Sequence, residues 1–263
     1  QSDVIIQYPD KPDGYLLCLN SDQISMIVNA CELYTTVHRG YFSAIADTWI
    51  KNKKSKNIKT KAYNEVKKFL CEAYEFVKKN GHYFHDLTDA RASLAARTAN
   101  DIGRFLNHGL KLKNIIYPLP VKLSNQPIPT IEPYDNDYLA HITIDHAAVL
   151  VLVLDFYSRV HIGQFEEAIM VWCAGKQAGS DQFCDTRTML QSAVAVAGGT
   201  YGIASVEICE SARIAYDLQQ VIRNRVSWDL NPPDQTKYLL GVSYDKPFQY
   251  SNKPMAKIQR VFN

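Results

Sequence analysis

Residues 15–49 read YLLCLNSDQISMIVNACELYTTVHRGYFSAIADTW, and residues 138–172 read YLAHITIDHAAVLVLVLDFYSRVHIGQFEEAIMVW. A constant offset of 123 superposes them without a gap, and ten of the 35 positions are identical. Tyr34/Tyr157, Val37/Val160, His38/His161, Gly40/Gly163, Phe42/Phe165 and Trp49/Trp172 carry the match. Tyr, His, Gly, Phe and Trp rarely coincide by chance in an ungapped alignment. Self-similarity of this kind is read before any local propensity, because it decides the architecture.

A second block agrees at an offset of 116. ARTANDIGRFL (96–106) lies on ARIAYDLQQVI (212–222), with Ala96/Ala212, Arg97/Arg213, Ala99/Ala215 and Asp101/Asp217 identical. The smaller offset places seven extra residues in the first copy, which the basic stretch KNKKSKNIKTK (51–61) supplies as an exposed loop. The expected fold is mainly α: two duplicated helical-bundle repeats related by a pseudo-twofold axis, with short β-strands and extended Pro-rich arms. Residues 1–113 form repeat one, 114–137 a linker with five prolines, 138–230 repeat two, and 231–263 a C-terminal arm. Proline blocks helix in the arms. Short strands are expected at 115–121 and 238–242.

Within each copy, a short strand (15–19 and 138–142) precedes a helix-start signal. Asn20-Ser21-Asp22 and Thr143-Ile144-Asp145 can cap the first free N–H groups. One long helix is expected after each cap. Ile24, Val28, Cys31, Thr35, His38, Phe42, Ile45 and Trp49 recur at alternating spacings of four and three, which makes one helical stripe. Ala147, Val151, Leu154, Ser158, His161, Phe165, Ala168 and Trp172 do the same. Further helices are expected at 62–79 and 87–107, and at 185–197 and 205–225.

Composition excludes several classes. The 263 residues carry 29 Lys+Arg against 27 Asp+Glu, a net charge of +2, so a polyelectrolyte partner is not the default. Hydrophobic residues at 46% and charged residues at 21% are globular values and exclude bulk disorder. The longest apolar run, 147–154, is too short for a bilayer, which needs ~20 residues. The six cysteines make no CxxC pair or zinc-ligand spacing, and Cys31, Cys71 and Cys209 sit in apolar helical patterns. A reducing, cytoplasmic setting is expected, with no signal peptide at residues 1–14.

His38 and His161 are the first candidates for chemistry. They read either as core histidines satisfied by a neighbour such as Tyr34 or Tyr157, or as paired groups facing a pocket between the repeats. Gly40 and Gly163 interrupt the helical stripe at a cost of ~1 kcal/mol each, and mark close helix approach or approach to a ligand. Arg97/Asp101 and Arg213/Asp217 are spaced for i,i+4 salt bridges, or for Arg to bind an anion. Copy two alone carries Arg159, Gln164, Glu166 and Glu167. His82, His85, Asp86 and Asp89 have a spacing that can hold a metal, but the pattern lacks HExxH and has no counterpart in copy two.

No phosphate loop, dinucleotide fingerprint, nucleophile elbow or EF-hand is present. No metal or cofactor is expected. The leading expectation is a non-enzymatic binding or interaction protein, with a protein partner or self-association. Tyr117, Tyr134, Tyr244 and Tyr250 would offer contact surfaces on the arms. The alternative is an enzyme or nucleotide-like small-ligand receptor whose pocket uses His38, His161, Tyr34, Tyr157, Arg159, Arg97 and Arg213. A third reading is a structural or virion component of phage or viral type. The lysines of 51–61 allow a weak, nonspecific phosphate-backbone contact, and no membrane association is expected.

Overall fold

The computed structural model describes residues 13–51, 56–79, 86–89, 92–111, 122–135, 137–176, 187–196, 202–230 and 242–262. The chain is mainly helical with one small antiparallel sheet. In order it runs β1 (Gly14–Leu19), α1 (Ser21–His38), α2 (Ser43–Lys51), α3 (Lys56–Lys79) and α4 (Leu94–Lys111). Then come β2 (Thr130–Tyr134), β3 (Asp137–Thr143), α5 (Ile144–Ile162), α6 (Phe165–Lys176), α7 (Arg187–Val196), α8 (Glu210–Leu230) and β4 (Lys257–Val261).

The sheet order is β2-β3-β1-β4. Strand alternation explains why β1 and β3 lie at its centre. Tyr15, Leu17 and Leu19 of β1, and Tyr138, Ala140 and Ile142 of β3, are buried on one face. β1 pairs with β3 in the register Tyr15↔Ile142, Leu17↔Ala140 and Leu19↔Tyr138. Leu17 and Ala140 are themselves matched by the 123-residue offset. Pairing about that point makes each cross-strand pair recur with the two halves exchanged.

The outer strands obey the same rule. β2 places Thr130 to Tyr134 along His141 to Asp137, and β4 places Lys257 to Val261 along Cys18 to Gly14. Those segments correspond at an offset of 127. The strand after α4 thus lines the first strand of the second half, and the strand after α8 lines the first strand of the first half. Ahead of these strands, SNQPIPTI (124–131) matches SNKPMAKI (251–258) at Ser, Asn, Pro and Ile.

Two buried carboxylates anchor the arms. Asp101 on α4 accepts the backbone N–H of Leu123 (2.9 Å) and of Ser124 (2.7 Å). Asp217 on α8 accepts those of Tyr250 and Ser251, each at 2.9 Å. The expected Arg97–Asp101 and Arg213–Asp217 salt bridges are therefore absent. Buried N–H groups of an arm with no other partner hold the carboxylates more strongly than an i,i+4 arginine would. Asp229 adds a second tie, bridging Arg225 of α8 and Arg260 of β4.

The helices differ from the expected single long runs. α1 stops at His38 and α2 starts at Ser43; α5 stops at Ile162 and α6 starts at Phe165. Gly40 (φ 97°) and Gly163 (φ 81°) are the cause, because both sit in the left-handed region where a side chain is strained. Both caps form as the sequence indicates. Asn20 and Thr143 each accept the N–H of the third helical residue, whose side chain returns the bond.

α4 packs along α1, and α8 along α5, while α1 also contacts α5. One continuous core results, drawing Ile24, Ile27, Tyr34, Phe42 and Trp49 together with Leu150, Leu154, Phe156 and Phe165. Tyr34 meets Phe156 edge-on at 5.6 Å, and Trp49 meets Phe165 at 5.9 Å.

Several other expectations shift. Residues 56–61, read as loop, begin α3, because its amphipathic repeat extends back through the lysines. α4 starts at Leu94 rather than near 87, since Asp89 and Ala92 close turns there. α8 starts at Glu210 rather than 205, following turns at 202–208. Cys71 is exposed, whereas Cys31 is buried against Gly103 and its thiol is pushed up to about 12 by burial. The expected strands at 115–121 and 238–241 lie outside the described residues, as do Cys184, His82, His85 and Tyr117. Val242 falls in a short 3-10 turn.

Candidate functional site

The C-terminal ends of α1 and α5 hold the two candidate histidines. His38 is buried beneath Tyr34, and its Nε2 accepts the backbone N–H of Ser93 at 3.4 Å. Ser93 immediately precedes α4, and its hydroxyl accepts from Ala96 N–H. His38 therefore helps satisfy the free donors at a helix start. His161 occupies the matching place beneath Tyr157, with ring centroids 4.3 Å apart. Its Nδ1 lies 3.6 Å from the Sγ of Cys209, the residue before α8. Cys209 and Ser93 are related by the same 116-residue offset as Asp217 and Asp101. The fold thus places each histidine against the residue that immediately precedes α4 or α8.

Burial dominates the chemistry of the second histidine. Desolvation lowers the His161 pKa to about 3, so its ring is neutral at ordinary pH. Burial also pushes the neighbouring Tyr157 hydroxyl up to about 12, with Ser211 pulling in the opposite direction. Neither group exchanges a proton readily near neutrality.

Tyr157 and His161 form one wall of a cavity of about 400 Å³. The other walls come from Asn29, Glu32, Leu33 and Thr36 on α1 and Ala44, Asp47 and Thr48 on α2. The cleft therefore lies between α1, α2 and α5. Glu32 is exposed on its rim. Asp47 is half-buried, accepts from the Tyr63 hydroxyl and sits 3.9 Å from Lys67 Nζ.

The positions related by the 123-residue offset explain why the cleft is open on this side. Asn29, Asp47 and Thr48 correspond to Leu152, Met170 and Val171, and Leu33 to Phe156. Thr36 corresponds to Arg159. Arg159 Nε donates to Asp155 at 3.0 Å and Nη1 to Gln164 at 2.9 Å. Asp155 in turn corresponds to Glu32, so the second half fills with an ion pair the place where the first half presents a carboxylate beside a short threonine.

Of the other candidates, Arg213 is turned away from this cleft. It donates to the Ser205 carbonyl at 2.8 Å and lies 4.0 Å from Glu210. Arg97 is half-buried on α4 and does not line the cleft. The structure brings together His161 and Tyr157 in the cleft, and sets His38, Tyr34, Arg97, Arg159 and Arg213 elsewhere. Asn29, Asp47 and Thr48 were not among the sequence candidates. Their signal was available as polar residues in one copy aligned with Leu, Met and Val in the other.

Glu166 accepts from Gln191 at 3.3 Å, a surface contact. Among the described residues no cluster of metal-ligating side chains occurs, and no helix is long and apolar enough to cross a membrane. Comparison of the chain with protein-family models, curated proteins and solved structures finds no match.

Proposed function

We propose that this chain is a non-enzymatic small-ligand-binding protein, built by duplication of a helical repeat, with its ligand in the α1–α2–α5 cleft. Duplication is supported by the register centred on Leu17↔Ala140, by the matched anchors Asp101 and Asp217, and by the arms related at 127 residues. The observation that carries the binding reading is the difference between halves at one place. Thr36 stands beside Glu32 on an open cleft, whereas Arg159 pairs with Asp155 at the matching positions.

The volume falls in the ordinary range for small-ligand sites, ~300–1,000 Å³. Its described lining includes two carboxylates, an amide and two threonine hydroxyls, with no Lys or Arg. That chemistry favours a cationic or donor-rich small molecule, such as an amine. Catalysis is disfavoured because the one histidine in the wall is a very weak base. Tyr250 packs edge-on against Tyr216 and Tyr244 against Trp228, so both are engaged internally, while Tyr134 remains exposed.

Native mass spectrometry of the full chain purified from its source, compared with Thr36→Arg, tests the reading. The new arginine stands four residues after Glu32, as Arg159 stands after Asp155. The expected result is a small molecule retained by the natural chain and lost from Thr36→Arg, with helical content unchanged. A ligand-free natural chain, or equal retention by the variant, would overturn it.

A further inference from the structure

His146 occupies the third position of α5 and closes its capping box. Its backbone N–H donates to Thr143 Oγ1 at 3.2 Å, and its Nδ1 accepts the Thr143 N–H at 3.3 Å. That second bond fixes the tautomer. With Nδ1 accepting, the neutral ring carries its hydrogen on Nε2. The side chain is 0% exposed, and Nε2 has no hydrogen-bond partner. A buried donor without an acceptor is rare enough to require a cause.

The first half supplies the comparison. Gln23 holds the position related to His146 and closes the α1 capping box in the same way. Its remaining donor, Nε2, reaches the Pro254 carbonyl at 2.9 Å. Pro127 is the residue matched to Pro254 by the arm alignment. Pro127 and His146 do not bond; instead both line a cavity of about 210 Å³ at the end of the sheet. A direct contact in one half is thus a space in the other.

We propose that this cavity binds a compact neutral molecule that presents one carbonyl oxygen to His146 Nε2–H. Ile128, Ile142, Val261 and Pro127 supply an apolar wall along which a bound water has few partners, while Asp13, Thr130, His141 and Thr143 line the remainder with polar groups. A molecule with one acceptor and an apolar body matches that wall better. Asp13 lines the same cavity and disfavours an anion. Burial lowers the His146 pKa, which keeps the ring a neutral donor rather than a cation. The volume, roughly seven waters at ~30 Å³ each, suits a small cyclic amide or ketone. This site is separate from the α1–α2–α5 cleft and does not depend on it.

The test is titration of the full chain with 2-pyrrolidinone, followed by the imidazole nitrogen resonances of His146. Cyclopentane, a neutral ring of the same size without the carbonyl, is the control. The expected result is saturable movement of the His146 Nε2 signal with pyrrolidinone alone. His146→Gln should weaken binding about tenfold, the loss of one hydrogen bond, because glutamine can reach Pro127 as Gln23 reaches Pro254. Gln23 shows that glutamine is compatible with the capping box. Ile128→Trp, at a partly exposed position, should block the cavity and abolish binding without touching the cap. No saturable shift, equal binding of cyclopentane, or unchanged binding in both variants would overturn the proposal.

Discussion

The two halves agree where backbone must be satisfied and differ where side chains face open space. Asp101 and Asp217 hold equivalent arms, Asn20 and Thr143 close equivalent caps, and Gly40 and Gly163 make equivalent left-handed turns. The cost of losing any of these falls on buried N–H groups or on strained φ, which no neighbour can relieve. Positions facing the cleft carry no such cost. There Thr36, Asn29 and Asp47 stand against Arg159, Leu152 and Met170. A framework held by buried polar devices leaves its cavities free to diverge, and the polar residues lining the first-half cleft stand against apolar ones in the second half.

The strongest way to break the comparison is to remove the arm anchors one at a time. Asp217→Ala strands the N–H groups of Tyr250 and Ser251, and Asp101→Ala strands those of Leu123 and Ser124. Each loses two charge-assisted bonds at a buried site, so each should destabilise the fold by ~3–4 kcal/mol. Urea unfolding measures both. Equal losses within ~1 kcal/mol are expected. A nearly neutral effect at either aspartate would show that the matched bonds are not matched in weight.

Acid sharpens the contrast at the histidines. The folded-state pKa of His161 is about 3, against ~6.5 for the unfolded chain. Between those values the unfolded chain holds a proton that the folded chain does not. Its contribution to stability is therefore complete above pH ~6.5 and falls as pH drops towards 3, by roughly 1.4 kcal/mol per unit. His146, also lowered by burial, adds a loss of the same sign. Unfolding midpoints at pH 7, 6 and 5 should give a slope that His161→Phe reduces by about one proton. If that variant keeps the full slope, His161 is protonated in the fold and its burial is misjudged.

Much of this was legible in the sequence, for reasons that separate cleanly by residue. The helices, the two central strands and both caps followed from periodicity and from Asn20 and Thr143, because those signals are local. The break after His38 was hidden because Phe42, Ile45 and Trp49 continue the helical spacing beyond Gly40. The partners of Asp101 and Asp217 were missed because a nearby arginine at i,i−4 looked sufficient, whereas the real donors lie 22 to 34 residues away. The outer strands at Thr130–Tyr134 and Lys257–Val261 were not foreseen, because their short half-exposed segments carry no strong alternation. The SNxP blocks at 124–127 and 251–254 would have located them, since they repeat at a third offset. The cleft was half legible: His161 and Tyr157 stood out as identities, while Asn29, Thr36 and Asp47 are informative only as differences.

The mildest perturbation asks whether the chain's order matters at all. Gly14 pairs with Val261 at one outer edge of the central strands, and Asp137 pairs with Tyr134 at the other. Asp13 N–H also donates to the Val261 carbonyl at 2.9 Å, so the C-terminal strand runs beside the start of β1 as β2 runs beside β3. Only the second of these edges is closed by a tight turn, through Asp135 at φ 51°. Joining Asn263 to Gln1, with residues 1–12 kept as the connection, and opening the chain at Asn136 exchanges the two roles. Each doubling of a closing loop costs only ~0.6 kcal/mol. The permuted chain should therefore fold with helical content unchanged and within ~1–2 kcal/mol of the natural order, measured by circular dichroism and urea unfolding. If it fails to fold, the Asp135 turn must organise the sheet in a way that the β4–β1 edge cannot. The two halves would then be alike in their pairing and unequal in how that pairing forms.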